Sequence, residues 1–226
     1  MRFRIVVVLA ILAAGLVVFA PLDVSARATP KCKGKLATIV VAPGGEPVTG
    51  SPGDDVIVGS TSNDIISGGG GTDIVCGNGG DDQITILGWG SWADGGSGND
   101  VINANNGATG IGGAGGDTLY TDGGSINGGG GDDELYASAG GWADGGSGGD
   151  LVFGDGASRL LGGSGEDFVV ERGDTSFMDC GSNADAFDSD GDVDMRRCEY
   201  YREYYDCGCL ISPNLNLLAA RLDRVA

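Results

Sequence analysis

The sequence predicts an all-β fold, a solenoid of parallel strands wound in turns of 16–18 residues. Three observations carry that expectation. Residues 50–85 divide into four nine-residue units without remainder, GSPGDDVIV, GSTSNDIIS, GGGGTDIVC and GNGGDDQIT, and so regular a period marks stacked repeats. The sixth place is always aspartate (Asp55, Asp64, Asp73, Asp82) and the eighth always aliphatic (Ile57, Ile66, Val75, Ile84). Glycine makes up 46 of 226 residues. Such a content often signals a linker, but these glycines recur at fixed offsets from an aspartate.

Taken in order, residues 1–26 read as a secretory signal peptide. Arg2 and Arg4 give a positive start, Ile5–Ala20 is an unbroken apolar run, and Val24-Ser25-Ala26 or Ala26-Arg27-Ala28 offers a cleavage site. The run is short for a membrane span of about 20 residues. The expected product is a secreted, extracellular protein with no membrane contact after cleavage, and a monomer. Residues 27–49 form an entry segment, in which Ala37–Val41 is strand-like and Glu46 stands where the later units have aspartate.

The solenoid is expected over 50–188. After residue 85 strong units continue as GGSGNDVIN (95–103), GGAGGDTLY (112–120), GGGGDDELY (128–136), GGSGGDLVF (145–153) and GGSGEDFVV (162–170). Degenerate units such as ILGWGSWAD and ASAGGWAD lie between them. One loop edge therefore keeps the motif throughout, and the other loses it after residue 76. With six residues of loop and three of strand per unit, only the middle strand residue points inward. The inward series is Ile57, Ile66, Val75, Ile84, Ala93, Ile102, Gly110, Leu119, Ile126, Leu135, Ala143, Val152, Leu160, Val169, Met178 and Phe187.

Residues 189–226 read as a C-terminal cap, needed because a solenoid end exposes unpaired strand edges. Leu215, Leu218, Leu222 and Val225 have helical spacing behind Asn214, so the cap has room for one short helix. It has a surface to cover. Tyr120, Tyr136, Phe153 and Val170 at the ninth place, with Leu151 and Phe168 at the seventh, form an outward apolar ladder, where the earlier turns carry Ser67, Thr85 and Asn103. The tail is expected to pack Leu218 and Leu222 on it; the alternative is an open ladder that binds a partner or glycan.

Six cysteines fit an oxidised, exported chain. The favoured disulfides are Cys32–Cys76 and Cys180–Cys198, leaving Cys207 and Cys209 for a mutual bridge or a C-x-C metal site. The net charge of −19 argues against nucleic-acid binding. The absence of histidine excludes histidine-dependent catalysis and histidine-held zinc within the chain.

The aspartate column points to a cation. Aspartates on successive turns lie about 4.8 Å apart, and two such charges repel by roughly 1 kcal/mol in water and about 3–4 at an effective dielectric of 20. Calcium takes six to eight oxygens in a flexible cage, which carboxylates and loop carbonyls supply, whereas magnesium demands a stricter octahedron. Metal binding is then part of the folding free energy.

Over residues 41–188 the chain resembles the hemolysin-type calcium-binding (RTX) repeat family, whose motif is G-G-x-G-x-D-x-U-x with U a large apolar residue. The resemblance implies a calcium-stabilised β-roll holding several Ca2+ ions, each between loops two units apart. One loop gives the carbonyls of places one and three and its aspartate; the next gives the carbonyls of places two and four and its aspartate. On the long edge this implies ions between Asp64 and Asp82, between Asp82 and Asp100, and onward through Asp117, Asp133, Asp150 and Asp167. The implied carbonyl positions are Gly77, Gly79 and Gly80; Gly95, Gly96, Ser97 and Gly98; Gly112, Gly113, Ala114 and Gly115; Gly128, Gly129, Gly130 and Gly131; Gly145, Gly146, Ser147 and Gly148; and Gly162, Gly163, Ser164 and Gly165. On the short edge Asp55 and Asp73 make one site with Gly50, Gly68, Gly69, Gly70 and Gly71. Two loops depart from the family: that at 59 lacks the second and fourth glycines, and that before Asp185 has cysteine and asparagine in place of glycine.

Two features stand outside the array. Asp188-Ser-Asp190-Gly-Asp192-Val-Asp194 has EF-hand-like spacing with Glu199 at the twelfth place, but Val193 stands where that loop needs glycine. Trp92 and Trp142 occupy the same place in matching WADGGSG segments and point outward if Ala93 and Ala143 point inward. The expected function is a structural or binding role outside the cell, without catalysis, since the repeats use nearly the whole mature chain. The alternative is a surface adhesin or carbohydrate-binding module whose outward aromatics meet a glycan or cell-surface partner.

Overall fold

The computed structural model describes residues 29–44, 46–157, 159–173, 177–183, 186–189, 194–198 and 200–201. The expected signal peptide, the tail with Leu218 and Leu222, and Cys207 and Cys209 lie outside them, as do Asp185 and, within the acidic run, residues 190–193 and Glu199. Every helical or extended element among the described residues is a strand.

The strands alternate between two ten-stranded parallel sheets. The first contains Ile39–Val40, Val56–Val58, Ile74–Gly79, Trp92–Ser97, Thr109–Ala114, Ser125–Gly130, Trp142–Ser147, Arg159–Ser164, Phe177–Asp179 and Asp194–Arg196. The second contains Val48–Thr49, Ile65–Ser67, Gln83–Leu87, Val101–Asn105, Thr118–Asp122, Glu134–Ser138, Leu151–Asp155, Phe168–Arg172, Ala186–Ser189 and Tyr200–Tyr201. Each strand pairs with the one a full turn away, as in Ile84↔Ile102↔Leu119↔Leu135. This is the β-roll expected. Its paired strands begin before residue 50 and run past 188, because pairing uses the backbone and outlasts the glycine motif.

The inward series forms one continuous core between the sheets. Ile57, Val75, Ile84, Ile102, Leu119, Leu135, Val152, Leu160, Val169 and Met178 are fully buried. One expectation needs correction. From residue 74 to 172 the strands have five or six residues, not three, so each carries a second inward position. Ile86, Ala104 and Ala137 fill it on the second sheet and join the core.

Both favoured disulfides form. Cys32–Cys76 ties the entry hairpin (Lys31–Cys32 with Lys35–Leu36) to the first sheet. On the outer face of the second sheet the aromatic ladder is continuous: Tyr120 stacks on Tyr136 at 5.0 Å, and Tyr136 meets Phe153 at 6.1 Å. Tyr120 is exposed, while Leu151, Phe168 and Val170 are buried despite facing outward.

Candidate metal centre

The long edge is where the chain passes from the first sheet to the second. Asp64, Asp82, Asp100, Asp117, Asp133, Asp150 and Asp167 each end the loop there, immediately before a strand, and all are buried. One carboxylate oxygen of each aspartate after Asp64 has a fixed task. The backbone N–H of Asp82 donates to Oδ1 of Asp100 at 2.7 Å, that of Asp100 to Asp117 at 2.7 Å, and that of Asp117 to Asp133 at 2.7 Å. The same link joins Asp64 to Asp82, Asp133 to Asp150, and Asp150 to Asp167. The structure thus brings the predicted long-edge aspartates into one column, each touching the next turn.

The other oxygen divides the aspartates into two classes. In Asp73, Asp82, Asp100, Asp117 and Asp133, Oδ2 is buried and has no hydrogen-bond partner. An unsatisfied buried carboxylate oxygen costs several kcal/mol. In Asp55 and Asp64, Oδ2 instead accepts the backbone N–H of Ser51 or Ser60 at 2.6 Å. Asp55 also takes the Thr38 hydroxyl on Oδ1 at 2.9 Å.

The second place of the loop explains the difference. It has positive φ at Gly69, Asn78, Gly96, Gly113, Gly129, Gly146 and Gly163. Ser51 and Ser60 are not in that conformation, so their N–H groups turn to the aspartate. In the positive-φ loops the open Oδ2 lies beside the first-place glycine. A Cβ on Gly95 would collide with Oδ2 of Asp100 and the carbonyl of Gly112; one on Gly128 would collide with Asp133 and the carbonyl of Gly145. Glycine is therefore required where carboxylate and next-turn carbonyl converge.

The electrostatics follow the same division. Burial pushes the Asp82 carboxyl up to about 7, Asp117 to about 6 and Asp133 to about 7, with neighbouring carboxylates adding to the rise and the accepted N–H opposing it. Burial also raises Asp73 and Asp100. The Ser51 N–H holds Asp55 below the ordinary carboxylate range.

On the short edge Asp55 and Asp73 are neighbours, the N–H of Asp55 donating to Oδ1 of Asp73 at 3.0 Å. Ser91 then takes the aspartate's place: its hydroxyl accepts the Asp73 N–H at 3.1 Å and donates to the Leu87 carbonyl at 2.8 Å. Ala108, Gly124 and Gly141 follow in the same position.

Sequence reasoning missed the fifth place. Asn63, Asp81, Asn99 and Asp132 accept the N–H of Asp81, Asn99, Gly116 and Gly149 on the next turn, at 2.8–2.9 Å. The repeated Asp or Asn beside the motif aspartate was the available signal. Ser97, Ser147 and Ser164, assigned for their carbonyls, also use their hydroxyls, donating to the carbonyls of Asn78, Gly129 and Gly146.

Among the described residues no three carboxylate, thiol or imidazole side chains come together. A cation here has two carboxylates at most and needs backbone carbonyls for the rest, a donor set of hard oxygens that suits calcium. The residues fit that ion: an open Oδ2, a second carboxylate one turn away, and glycine carbonyls alongside.

A family model described as the RTX calcium-binding nonapeptide repeat (four copies) matches residues 49–84 and 90–108. The units at 112–170 lie beyond the match but repeat its loop geometry and aspartate hydrogen bonds. No curated protein and no solved structure matches the chain.

Proposed function

We propose, for a chain carrying RTX calcium-binding nonapeptide repeats on a two-sheet β-roll, that it is a secreted protein folded by calcium, with a structural or binding role outside the cell and no catalysis. The observation that carries this reading is the row of buried, unpartnered Oδ2 atoms on Asp82, Asp100, Asp117 and Asp133. The long-edge aspartates and the loop carbonyls of successive turns would hold the ions, the open Oδ2 atoms serving as ligands. Asp73 offers the equivalent oxygen on the short edge. Asp55 and Asp64 are the weakest ligands, because the backbone N–H of Ser51 or Ser60 in the same loop already occupies Oδ2. Calcium supplies positive charge to a column that otherwise repels itself. Secretion is supported by the two disulfides and the N-terminal apolar run.

The test is a calcium titration of the mature protein, followed by circular dichroism and by calorimetry for stoichiometry. Chelator should abolish most of the β signal, and calcium at roughly millimolar concentration should restore it. A full cooperative β spectrum in excess chelator at neutral pH would overturn the reading.

A further inference from the structure

The outer face of the first sheet carries a groove of about 410 Å3, within the range of small-ligand sites. None of the column aspartates lines it. Thr109, Ser125, Trp142 and Arg159 occupy successive rungs along it. Rungs about 4.8 Å apart make it roughly 14 Å long. Thr109 and Ser125 are short, which creates the depression, and Trp142 rises beside it, 52% exposed.

Around this ring stand polar groups of three kinds. Asp144 lines the groove beside Asn127, whose side chain opposes the rise that burial causes in its carboxyl. The Arg159 guanidinium sits 5.6 Å from the Trp142 ring and 4.8 Å from Phe177, so it is held in place, yet its Nε is buried without a hydrogen-bond partner. Trp92, the equivalent residue in the other WADGGSG segment, is different: Lys33 Nζ covers its ring at 4.4 Å, and it packs beside the Cys32 cluster. Of the two matching tryptophans, Trp142 is the more exposed, with the Arg159 guanidinium on its ring rather than a lysine and a disulfide cluster.

We propose that this groove binds a neutral hexose oligosaccharide lying along the stack of turns, with Trp142 as its platform and Asp144, Asn127 and Arg159 as its hydroxyl partners. A sugar ring has an apolar C–H face for an aromatic ring and a rim of hydroxyls that both donate and accept. The groove offers an acceptor in Asp144, a donor in Arg159 and both in Asn127. A net charge of −19, with Asp144 in the groove, disfavours an acidic polysaccharide. A protein partner needs about 800 Å2 per side, and an opening of this size supplies a smaller contact.

The experiment is calorimetric titration of the calcium-loaded full-length mature chain with cellohexaose, maltohexaose and, as the charged arm, hexagalacturonate. At least one neutral hexasaccharide should bind, and Trp142→Ala should weaken it by about tenfold or more. Ser125→Phe, which fills the floor and leaves Trp142 in place, should do the same. Trp89→Ala, which removes a ring 82% exposed outside the groove, should leave binding unchanged. Circular dichroism with calcium checks that each variant keeps its fold. Failure of both neutral sugars to bind at about 10 mM, binding indifferent to both groove variants, or tighter binding of hexagalacturonate would each overturn the proposal. The groove is built on sheet-face side chains, so sugar binding by a chain that folds without calcium would sink the calcium reading alone.

Discussion

The two edges of the roll solve one problem in different ways. Each must turn the chain from one sheet to the other every 16–18 residues. From Asp82 to Asp133 the long edge does so with an aspartate on every turn, glycine or asparagine at positive φ, and a carboxylate oxygen left open. The short edge drops the aspartate after Asp73 and closes with Ser91, then with alanine and glycine. Strand pairing is equally regular beside both. The buried charge is therefore not needed to make the turn. Where it is kept, the use proposed above is to hold something of opposite sign.

The largest expected consequence separates the edges by metal dependence. Asp133→Asn keeps an oxygen to accept the Asp117 N–H but loses one charge and one ligand oxygen. It should lower calcium stoichiometry and the melting temperature with calcium, yet raise stability in chelator. Asp133→Ala should lower stoichiometry and midpoint stability with calcium more than Asp55→Ala, whose carboxylate is already satisfied. Equal losses from Asp133→Ala and Asp55→Ala in calorimetry would erase the proposed distinction between open and capped aspartates.

A smaller effect is expected from pH. Asp82, Asp117 and Asp133 hold protons up to about 7, 6 and 7 in the fold, against about 3.9 unfolded. Between those values the metal-free fold binds more protons than the unfolded chain. Its stability from these groups is present below about pH 4 and is lost as pH rises through 6–7. In chelator, the β signal retained at pH 5 should therefore exceed that at pH 8. With calcium the order should reverse, because protons and calcium compete for the same oxygens. Parallel pH profiles in the two conditions would argue against carboxylate ligation.

The smallest effect belongs to the short edge. Ser91→Ala removes the acceptor for the Asp73 N–H and the donor to Leu87. It should cost about 1–3 kcal/mol by chemical denaturation, shifting calcium stoichiometry by nothing measurable. A change in stoichiometry would show that the short edge takes part in cation binding beyond Asp73.

Much of this arrangement was legible in the sequence because one side chain per unit is enough to set the phase. Ile57 to Phe187 occupy the inward places expected, and the cysteine pairs follow from turns placed side by side. Strand length was not legible. Ile86 and Ala104 lie past the ninth place, inside degenerate units where no glycine marks the boundary. The capped state of Asp55 was also hidden, since its unit keeps the fourth glycine, Gly53. The deciding residue is Ser51 at the second place, whose N–H direction depends on a backbone angle that the motif letters do not carry.

The Cys32–Cys76 bridge and the two capped aspartates lie at the same end of the stack. The turn that carries Asp55 and Asp64 completes its carboxylate hydrogen bonding with the chain's own atoms, so it forms a seed while later rungs still await a cation. In a stack where each rung touches only its neighbours, growth from such a seed has a direction. A partly loaded molecule is then a finished N-terminal stub with a loose remainder, rather than a rod softened along its whole length.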